Sequence, residues 1–523
     1  MNIATKDTSE RLSLAPRMLP SGIVPPAVLP STWAERALLL ILAAAVLRWI
    51  VATATGLSDT EAYYAQWARV PALSYYDHPP LVAWTTWLLT RLPRAAWAVR
   101  LGPVLYAAVF DALLYHLAAR LFSPRAGFLA VALITAIPAF FFTGFLLNPE
   151  GLLAPLWVLF LLLLLDLRDH DERWRPLAMG AVVGAAFLAK YTAVLAVPVA
   201  LLYVAGAAGT RRWLRRPSFY LAGLVALAIA SPVIAWNALH AWPSLHLHLS
   251  ERMVHAPGET LAAALWRVGS AQLLIFQPVI LPALIALLGY AVLRARRDER
   301  YRFLATASLP VLAFLLLMMV RAGDSEPHWT MMGYVPLVVA AGGVLDESTG
   351  TLRRFADRAL CAALVLSGAV AALYAVHLRS PALARALPAY DPNADPIAET
   401  LGWDRVSAAV ASHAAALGPG TVVAGAHNVL CGHLQAALDD APPVYCASPR
   451  RTEFDFMGRG SPPPQAPVVF VDSDRYPQDP AVALPHHDCV RAQDVVIDRS
   501  GLRLARYRVH ECRPSAAGPG GTP

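Results

Sequence analysis

Between Ala37 and His377 the chain keeps returning to apolar runs of about 17–25 residues, separated by short polar connections. A backbone that crosses hydrocarbon must satisfy its own polar groups, and a helix of that length does so over roughly 30 Å. Helices are expected at about 37–57, 97–121, 126–147, 151–167, 177–190, 191–208, 218–237, 267–292, 303–320, 331–345 and 358–377. The fold class is therefore mainly α, a polytopic bundle of about eleven transmembrane helices. Hydrophobic residues make up 57% of the chain and charged residues 15%, which excludes an ordinary soluble domain.

A net charge of +7 would suit nucleic acid, but the basic residues sit in short connections between spans, so no nucleic-acid partner is expected. With the amino terminus cytoplasmic, the inner connections carry Arg120 and Arg125; Arg168, Arg173 and Arg175; Arg211, Arg212, Arg215 and Arg216; Arg294, Arg296, Arg297, Arg300 and Arg302; and Arg353, Arg354 and Arg358. Outer connections beyond the first hold little more than Lys190, Arg252 and Arg321. The same topology sends every chemically interesting stretch to one side: Asp59 to His78, Asn148-Pro149-Glu150, Lys190-Tyr191, Trp236 to His255, and Glu326 to Trp329.

The ends differ from the bundle. Residues 1–36 are polar and proline-rich, without a small-residue cleavage site after an apolar core, and read as a disordered cytoplasmic tail. Residues 380–514 read as a small α/β domain on the outer face, with strands near 421–425, 444–446, 468–471 and 502–509 and a helix near 427–438. A disordered tail is expected at 515–523. Cys431, Cys446, Cys489 and Cys512 fall in the outer domain, an even number in an oxidising compartment, and proximity in sequence favours 431 with 446 and 489 with 512. Histidines 427, 433, 486 and 487 lie nearby, but their spacing matches no standard zinc pattern.

The stretch from Ser58 to Leu81 sets Asp59, Glu61, Asp77 and His78 among five aromatic rings directly after a membrane span. A short helix over 61–69 would lie along the interface, where amphipathic rings settle, and Pro79-Pro80 would stop any helix and display Asp77 and His78 on a rigid turn. The plain alternative is a solvated loop. Glu150 is either a helix amino-terminal charge or a functional carboxylate facing that loop. Lys190 splits an apolar stretch, and a lysine at that depth must snorkel or meet an anion, for which a lipid phosphate is suited. Trp236, Asn237, His246, His248 and Arg252 follow another span; the aromatic residues could be an anchoring belt, while the Arg252 guanidinium suits phosphate.

Glu61 to Ala68 (EAYYAQWA) followed by Ser74 to Trp84 (SYYDHPPLVAW) resembles the first external loop of the polyprenyl-phosphate-sugar glycosyltransferases of GT-C fold, relatives of the protein O-mannosyltransferases and the lipid A aminoarabinose transferases. The family usually has adjacent Asp-Glu before Ala-x-Tyr; here Thr60 separates Asp59 from Glu61, so either acid can hold that place. Pro-Asp in the family becomes Pro149-Glu150, Lys190-Tyr191 matches an Ala-Lys-Tyr-Thr run, the segment at Asn237 is similar to the donor-contacting loop, and Pro327-His328-Trp329 is similar to an element that closes the site. The resemblance implies Asp59, Glu61 and Glu150 as catalytic acids, and Lys190, Arg252, His78 and His328 as ligands of the donor phosphate. Asp77, Tyr64, Tyr191 and Asn237 would position the acceptor or the loop. It further implies a polyprenyl-phosphate sugar donor, a lipid or protein acceptor, transfer with inversion, no cofactor, and a divalent metal that nothing in the sequence requires. Its setting would be the bacterial inner membrane, with the site and outer domain periplasmic.

Two rivals stay open. A flippase for lipid-linked saccharides would share the spans and the buried lysine, but should show an internal repeat with helices interrupted at matching places, and none is visible. A saccharide ligase or polymerase would differ in preferring a lipid-diphosphate donor. A soluble nucleotide-sugar donor is disfavoured because the chain holds no Gly-rich phosphate loop.

Overall fold

The computed structural model describes residues 32–91, 96–207, 209–254, 257–386 and 390–515. Both expected tails lie outside these residues, except that 32–36 open the first helix and Ser515 follows the last strand; His255 lies outside as well. Helix α1 (Thr32–Ala54) leads to two short helices, α2 (Asp59–Trp67) and α3 (Leu81–Leu89), then to α4 (Ala96–Leu121), α5 (Pro124–Ala136) and α6 (Pro138–Thr143). The bundle continues through α7 (Pro149–Asp169), α8 (Trp174–Ala189), α9 (Ala196–Gly206), α10 (Pro217–Leu239) and the one-turn α11 (Pro243–His246). It closes with α12 (Leu261–Phe276), α13 (Ile280–Arg294), α14 (Glu299–Arg321), α15 (Met331–Glu347) and α16 (Gly350–Arg379).

Among the described residues seven helices are long and apolar enough to cross a membrane, or eight if the bent pair α12 and α13 counts as one span. Each of the expected apolar runs forms helix, yet α5, α8 and the segment 191–206 are shorter than a full span, which brings the count below eleven. The chain is a multi-pass membrane protein. Three departures from the expected elements have local causes. Trp33 packs on Phe128 (5.4 Å) under Arg36, which carries α1 back into the expected tail. The run at 126–147 breaks at Ile137, because Pro138 has no N–H to continue the ladder. The run at 267–292 bends by 103° around Gln277 (φ 74°) and Pro278, and the Gln277 amide is tied to the carbonyls of Ala136 (3.2 Å) and Ala363 (3.1 Å).

Pro79-Pro80 corrects another expectation. The pair starts a helix as well as ending the loop, since the first turn needs no N–H from the residues before it, and α3 runs on from Leu81. Helix α2 begins at Asp59, two residues before the expected start, because Ser58 and Glu61 close a capping box.

Helix α17 (Ala382–Ala386) leads into the outer part, where α18 (Trp403–Leu417) and α19 (Asn428–Leu438) cover a five-stranded sheet. Strands β1 (Val422–Gly425), β2 (Val444–Cys446), β3 (Val468–Ser473), β4 (His487–Arg499) and β5 (Leu502–Pro514) take the order β2-β1-β3-β5-β4, parallel among the first three and antiparallel at β3-β5-β4. Strand β4 was unexpected: its burial alternates too weakly to show in sequence. Cys489 and Cys512 are bonded across β4 and β5, whereas Cys431 and Cys446 are buried free thiols, so the second expected pairing is not formed. The outer part seats on the bundle through α19 against α2. A side chain at Gly432 would come within 2.8 Å of the Ala62 backbone, so only glycine lets the helices meet.

Candidate active site

The two acids of α2 are both consumed by local structure. Glu61 is fully buried, and its Oε1 accepts from Arg100 Nε and from the Leu147 N–H, each at 2.9 Å. Its Oε2 accepts from Arg100 Nη2 at 2.6 Å and from the Ser58 N–H at 3.0 Å. Arg100 also donates to the carbonyls of Ala52 (2.9 Å) and Gly56 (2.7 Å), so the pair clamps α1, α2, α4 and the turn before α7 together. Asp59 points the other way, into the outer part: His433 Nε2 lies 3.1 Å from one oxygen, the Tyr476 hydroxyl donates to the other at 3.0 Å, and Arg475 is 3.5 Å away. Arg475 also binds Glu399 at 2.8 Å, and burial, followed by the Asp59 charge, pushes Glu399 up to about 7. Asp59 is therefore a fastening point for the outer part.

The expected phosphate ligands do come together. A cavity of about 770 Å³ beneath the sheet is lined by Lys190, Arg252, His78 and His328, with Tyr64, Tyr76 and Asp77 on its bundle wall and Arg450 and Arg451 on its roof. Arg252 forms no ion pair among the described residues. His78 is buried with Nδ1 unpartnered, and burial and then the charges of Lys190, His248 and Arg252 hold its imidazole well below the ordinary value. His248 falls to about 4, mainly through burial, and as the neutral ring donates Nε2–H to the Asp77 carbonyl at 2.8 Å. His78 thus presents a neutral ring to the cavity.

Lys190 caps α8 and reaches Glu150 at the start of α7, where Asn148 accepts the Gly151 N–H at 2.8 Å and sets the turn. His328 Nε2 lies 3.0 Å from the same Glu150 oxygen. These three mark the border with a second cavity of about 810 Å³, walled by Ala139, Phe142, Leu146, Leu273, Leu274, Ile275 and Val370 and floored by the break at Gln277-Pro278. Thr60, Glu326 and His328 line both cavities. A charged chamber therefore opens onto an apolar one, and the helix breaks at 137 and 277 make the room for it.

The remaining expected residues hold walls. Tyr64 stands edge-on to His78 (5.6 Å), and Tyr191 edge-on to His248 (5.1 Å). Asn237 accepts the Ser244 N–H (3.2 Å) and donates to the Val233 carbonyl (3.1 Å), so it fixes the α10 to α11 turn and does not face the cavity. Asp77 accepts the Tyr63 hydroxyl at 2.6 Å, and burial raises its pKa. Tyr63 in turn accepts the Glu453 N–H (2.8 Å), and the Glu453 carboxylate accepts the Tyr76 N–H (2.6 Å), so the outer part props the Asp77 loop. Arg100, Glu453 and Arg475 carry roles that the sequence analysis does not assign, and His433, weighed there only against a zinc pattern, holds Asp59 instead. Only Arg100 carried a signal, a lone guanidinium inside an apolar helix like Lys190.

The fold and site define a polytopic membrane protein with a charged chamber joined to an apolar one, and comparison with known proteins narrows the class. The family model described as Dolichyl-phosphate-mannose-protein mannosyltransferase matches residues 77–236. ArnT from Cupriavidus metallidurans bound to undecaprenyl phosphate superposes with a TM-score of 0.63 at 18% identity, over 94% of this chain and all of that one. The apo form gives 0.62 at 17% identity, over 92% and 98%. The lipid A galacturonosyltransferase RgtD of Rhizobium johnstonii is 26% identical over 306 residues, 55% of this chain and 60% of that relative. The chain has the ArnT fold, and the resemblance to GT-C glycosyltransferases of the ArnT and protein mannosyltransferase type is borne out.

Proposed function

We propose that the protein is a membrane glycosyltransferase that moves a sugar from a polyprenyl-phosphate carrier to a hydroxyl of a lipid acceptor, in the manner the names of its relatives suggest. One observation carries this reading: Lys190, Arg252, His78 and His328 converge in a chamber that opens directly onto an apolar one suited to a prenyl chain. The phosphate would sit between Lys190 and Arg252, with His78 donating a hydrogen bond, and these groups would stabilise charge growing on the leaving oxygen. Glu150 is the acid best placed to take the acceptor proton, because only one of its oxygens is engaged. One direct displacement would invert the anomeric centre. Asp59 and Glu61 take structural roles in this scheme.

The arginine-rich end of the bundle would face the cytoplasm and the sheet the periplasm of a bacterial inner membrane, by the positive-inside rule. The chain would divide into a transferase domain at 37–379 and an outer domain at 380–514. The flippase reading gains nothing from the two helix breaks, since Pro138 and Gln277 line one and the same cavity.

The test is transfer from radiolabelled polyprenyl-phosphate sugars to lipid A by the purified protein. Glu150→Gln is expected to lower turnover by about a hundredfold or more while leaving polyprenyl-phosphate binding within about threefold. Full turnover in that variant removes Glu150 from the role, and no transfer with any such donor by the wild type removes the reading.

A further inference from the structure

The end of the bundle away from the sheet carries an open groove of about 580 Å³, lined by Leu214, Arg215, Pro217, Tyr220, Leu221 and Leu224. It lies where the short turn Arg211–Arg215 meets the first turns of α10, one of the helices long and apolar enough to cross a membrane. None of its residues lines either chamber of the candidate site.

The chemistry of the groove comes from Arg215. Its neighbours Arg212 and Arg216 share Asp171 (2.7 and 3.1 Å), and Arg211 donates to the Ala205 carbonyl at 2.7 Å without meeting an acid. Arg215 is exposed and makes no hydrogen bond, ion pair or ring contact among the described residues. Asp171 already serves two guanidiniums, so the turn holds more positive charge than its acid balances. A free guanidinium in that setting offers paired donors to a phosphate and repels an ammonium.

Below Arg215 the groove is apolar. Helix α10 turns Ala222 and Ala226 to Gly180 and Gly184 of α8, where the backbones meet, and leaves Tyr220, Leu221 and Leu224 exposed. The Tyr220 hydroxyl donates to the Leu214 carbonyl at 2.7 Å, which fixes the ring at the rim. Trp174, also exposed, opens α8 six residues before Gly180, just as Arg216 stands six before Ala222, so tryptophan and tyrosine lie within about one turn of the same height. Amphipathic rings gathered at one level mark a membrane–water interface. An occupant must therefore bring an anionic phosphate with no ammonium to offset it, together with a chain that can lie on leucine.

We infer that this groove binds an anionic glycerophospholipid, its phosphate on Arg215 and one acyl chain along Leu221 and Leu224. The lipid would hold the arginine-rich turn to the bilayer surface, at the opposite end of the bundle from the two chambers. Charge complementarity selects the occupant, since basic rims beside membrane helices favour anionic headgroups. The inference does not rest on the transfer reaction.

The full-length protein, stripped of lipid in mild detergent, is titrated with phosphatidylglycerol and with phosphatidylcholine of the same acyl chains, and bound lipid is read by native mass spectrometry. Phosphatidylglycerol is expected to bind about tenfold more tightly, and Arg215→Gln to bring it down to about the phosphatidylcholine value. Leu221→Asn should weaken both lipids about threefold. Both side chains are exposed, so the thermal midpoints of the variants should match the wild type. Arg300→Gln removes a paired charge from the same end of the bundle and should leave phosphatidylglycerol binding within about twofold. Equal affinity for the two lipids, or unchanged binding in Arg215→Gln, overturns the site. An equal loss in Arg300→Gln overturns it as well, because net charge alone would then explain the attraction. No effect of Leu221→Asn, or displacement of the lipid by inorganic phosphate at equal concentration, overturns the lipid as occupant.

Discussion

The two charged ends of the bundle are built on opposite rules. At the end away from the sheet, nine of the seventeen arginines in the connections meet acids: Arg120 and Arg175 share Asp166, Arg168 meets Glu299 (3.1 Å), Arg125 meets Asp346 (3.4 Å), Arg300 meets Glu347 (2.7 Å), Arg212 and Arg216 meet Asp171 (2.7 and 3.1 Å), Arg302 meets Glu299 (3.7 Å) and Arg353 meets Asp357 (3.6 Å). These pairs are partly solvated, and each partner is already spoken for. Beneath the sheet, Lys190 and His328 both contact Glu150, Arg252 forms no ion pair although Asp77 and Glu326 line the same cavity, and burial first, then the neighbouring charges, hold His78 neutral. A matched layer ties connections together, whereas an unmatched one stores attraction for an anion that has yet to arrive.

The sharpest way to break the contrast is to delete one cation from each layer. Lys190→Met is expected to lower kcat/KM for transfer by two to three orders of magnitude, since in the proposed scheme the group would face charge that develops in the leaving phosphate. Detergent-solubilised protein assayed with a labelled donor lipid checks this, and a loss under threefold would place the phosphate elsewhere.

A second variant asks whether Glu61 belongs to the chemistry or to the scaffold. Glu61→Gln keeps the shape but leaves the Arg100 guanidinium facing a neutral amide in a fully buried place. A destabilisation of about 2 kcal/mol is expected, read as a lower midpoint of thermal unfolding, with transfer per folded molecule kept within about tenfold. A stable variant without turnover would return Glu61 to catalysis.

The case of Glu61 shows how far the sequence can be read. Apolar run length is a local property, so the spans were legible, and so was the convergence of Asp77, Glu150, Lys190 and Arg252 on one face, because charge asymmetry orients every connection at once. What an acid does once it arrives is not local. The partners of Asp59 sit at His433, Arg475 and Tyr476, 374 to 417 positions away, and no spacing rule links them. Arg100 was readable by the same logic as Lys190, a lone cation in an apolar helix, and would have claimed Glu61 in advance. The bend at Gln277 was carried by two adjacent features, an amide and Pro278, inside a run otherwise long enough to go straight through.

Acidity offers a smaller lever on the charged chamber. His248 near 4 and His78 held low are neutral without an anion beside them, and a bound phosphate would draw both upward toward the ordinary imidazole value of about 6.5. The bound form then carries more protons than the free form between those limits, so affinity for undecaprenyl phosphate should rise as pH falls. About tenfold tighter binding at pH 5 than at pH 7 is expected by native mass spectrometry, and His78→Asn with His248→Asn should make the profile shallower, the remainder coming from Lys190 and His328 in the same cavity. Affinity that is level or falling with acidification would mean that the phosphate does not reach these rings.

The smallest effect belongs to the matched layer, and its smallness is the point. Arg300 binds both Asp298 (2.7 Å) and Glu347 (2.7 Å), with about a third of its side chain exposed. Water can replace either contact, and the two acids lie at helix ends where they stay hydrated, so Arg300→Gln should cost under about 1 kcal/mol. Transfer and polyprenyl-phosphate binding should match the wild type. The same deletion of one positive charge that silences the site when made at Lys190 would then pass almost unnoticed here, because the charge removed had a partner that solvent could take over. A comparable loss of transfer at Arg300 would mean instead that the two layers are coupled through α14 and α15, and that the matched end helps to set the geometry of the unmatched one.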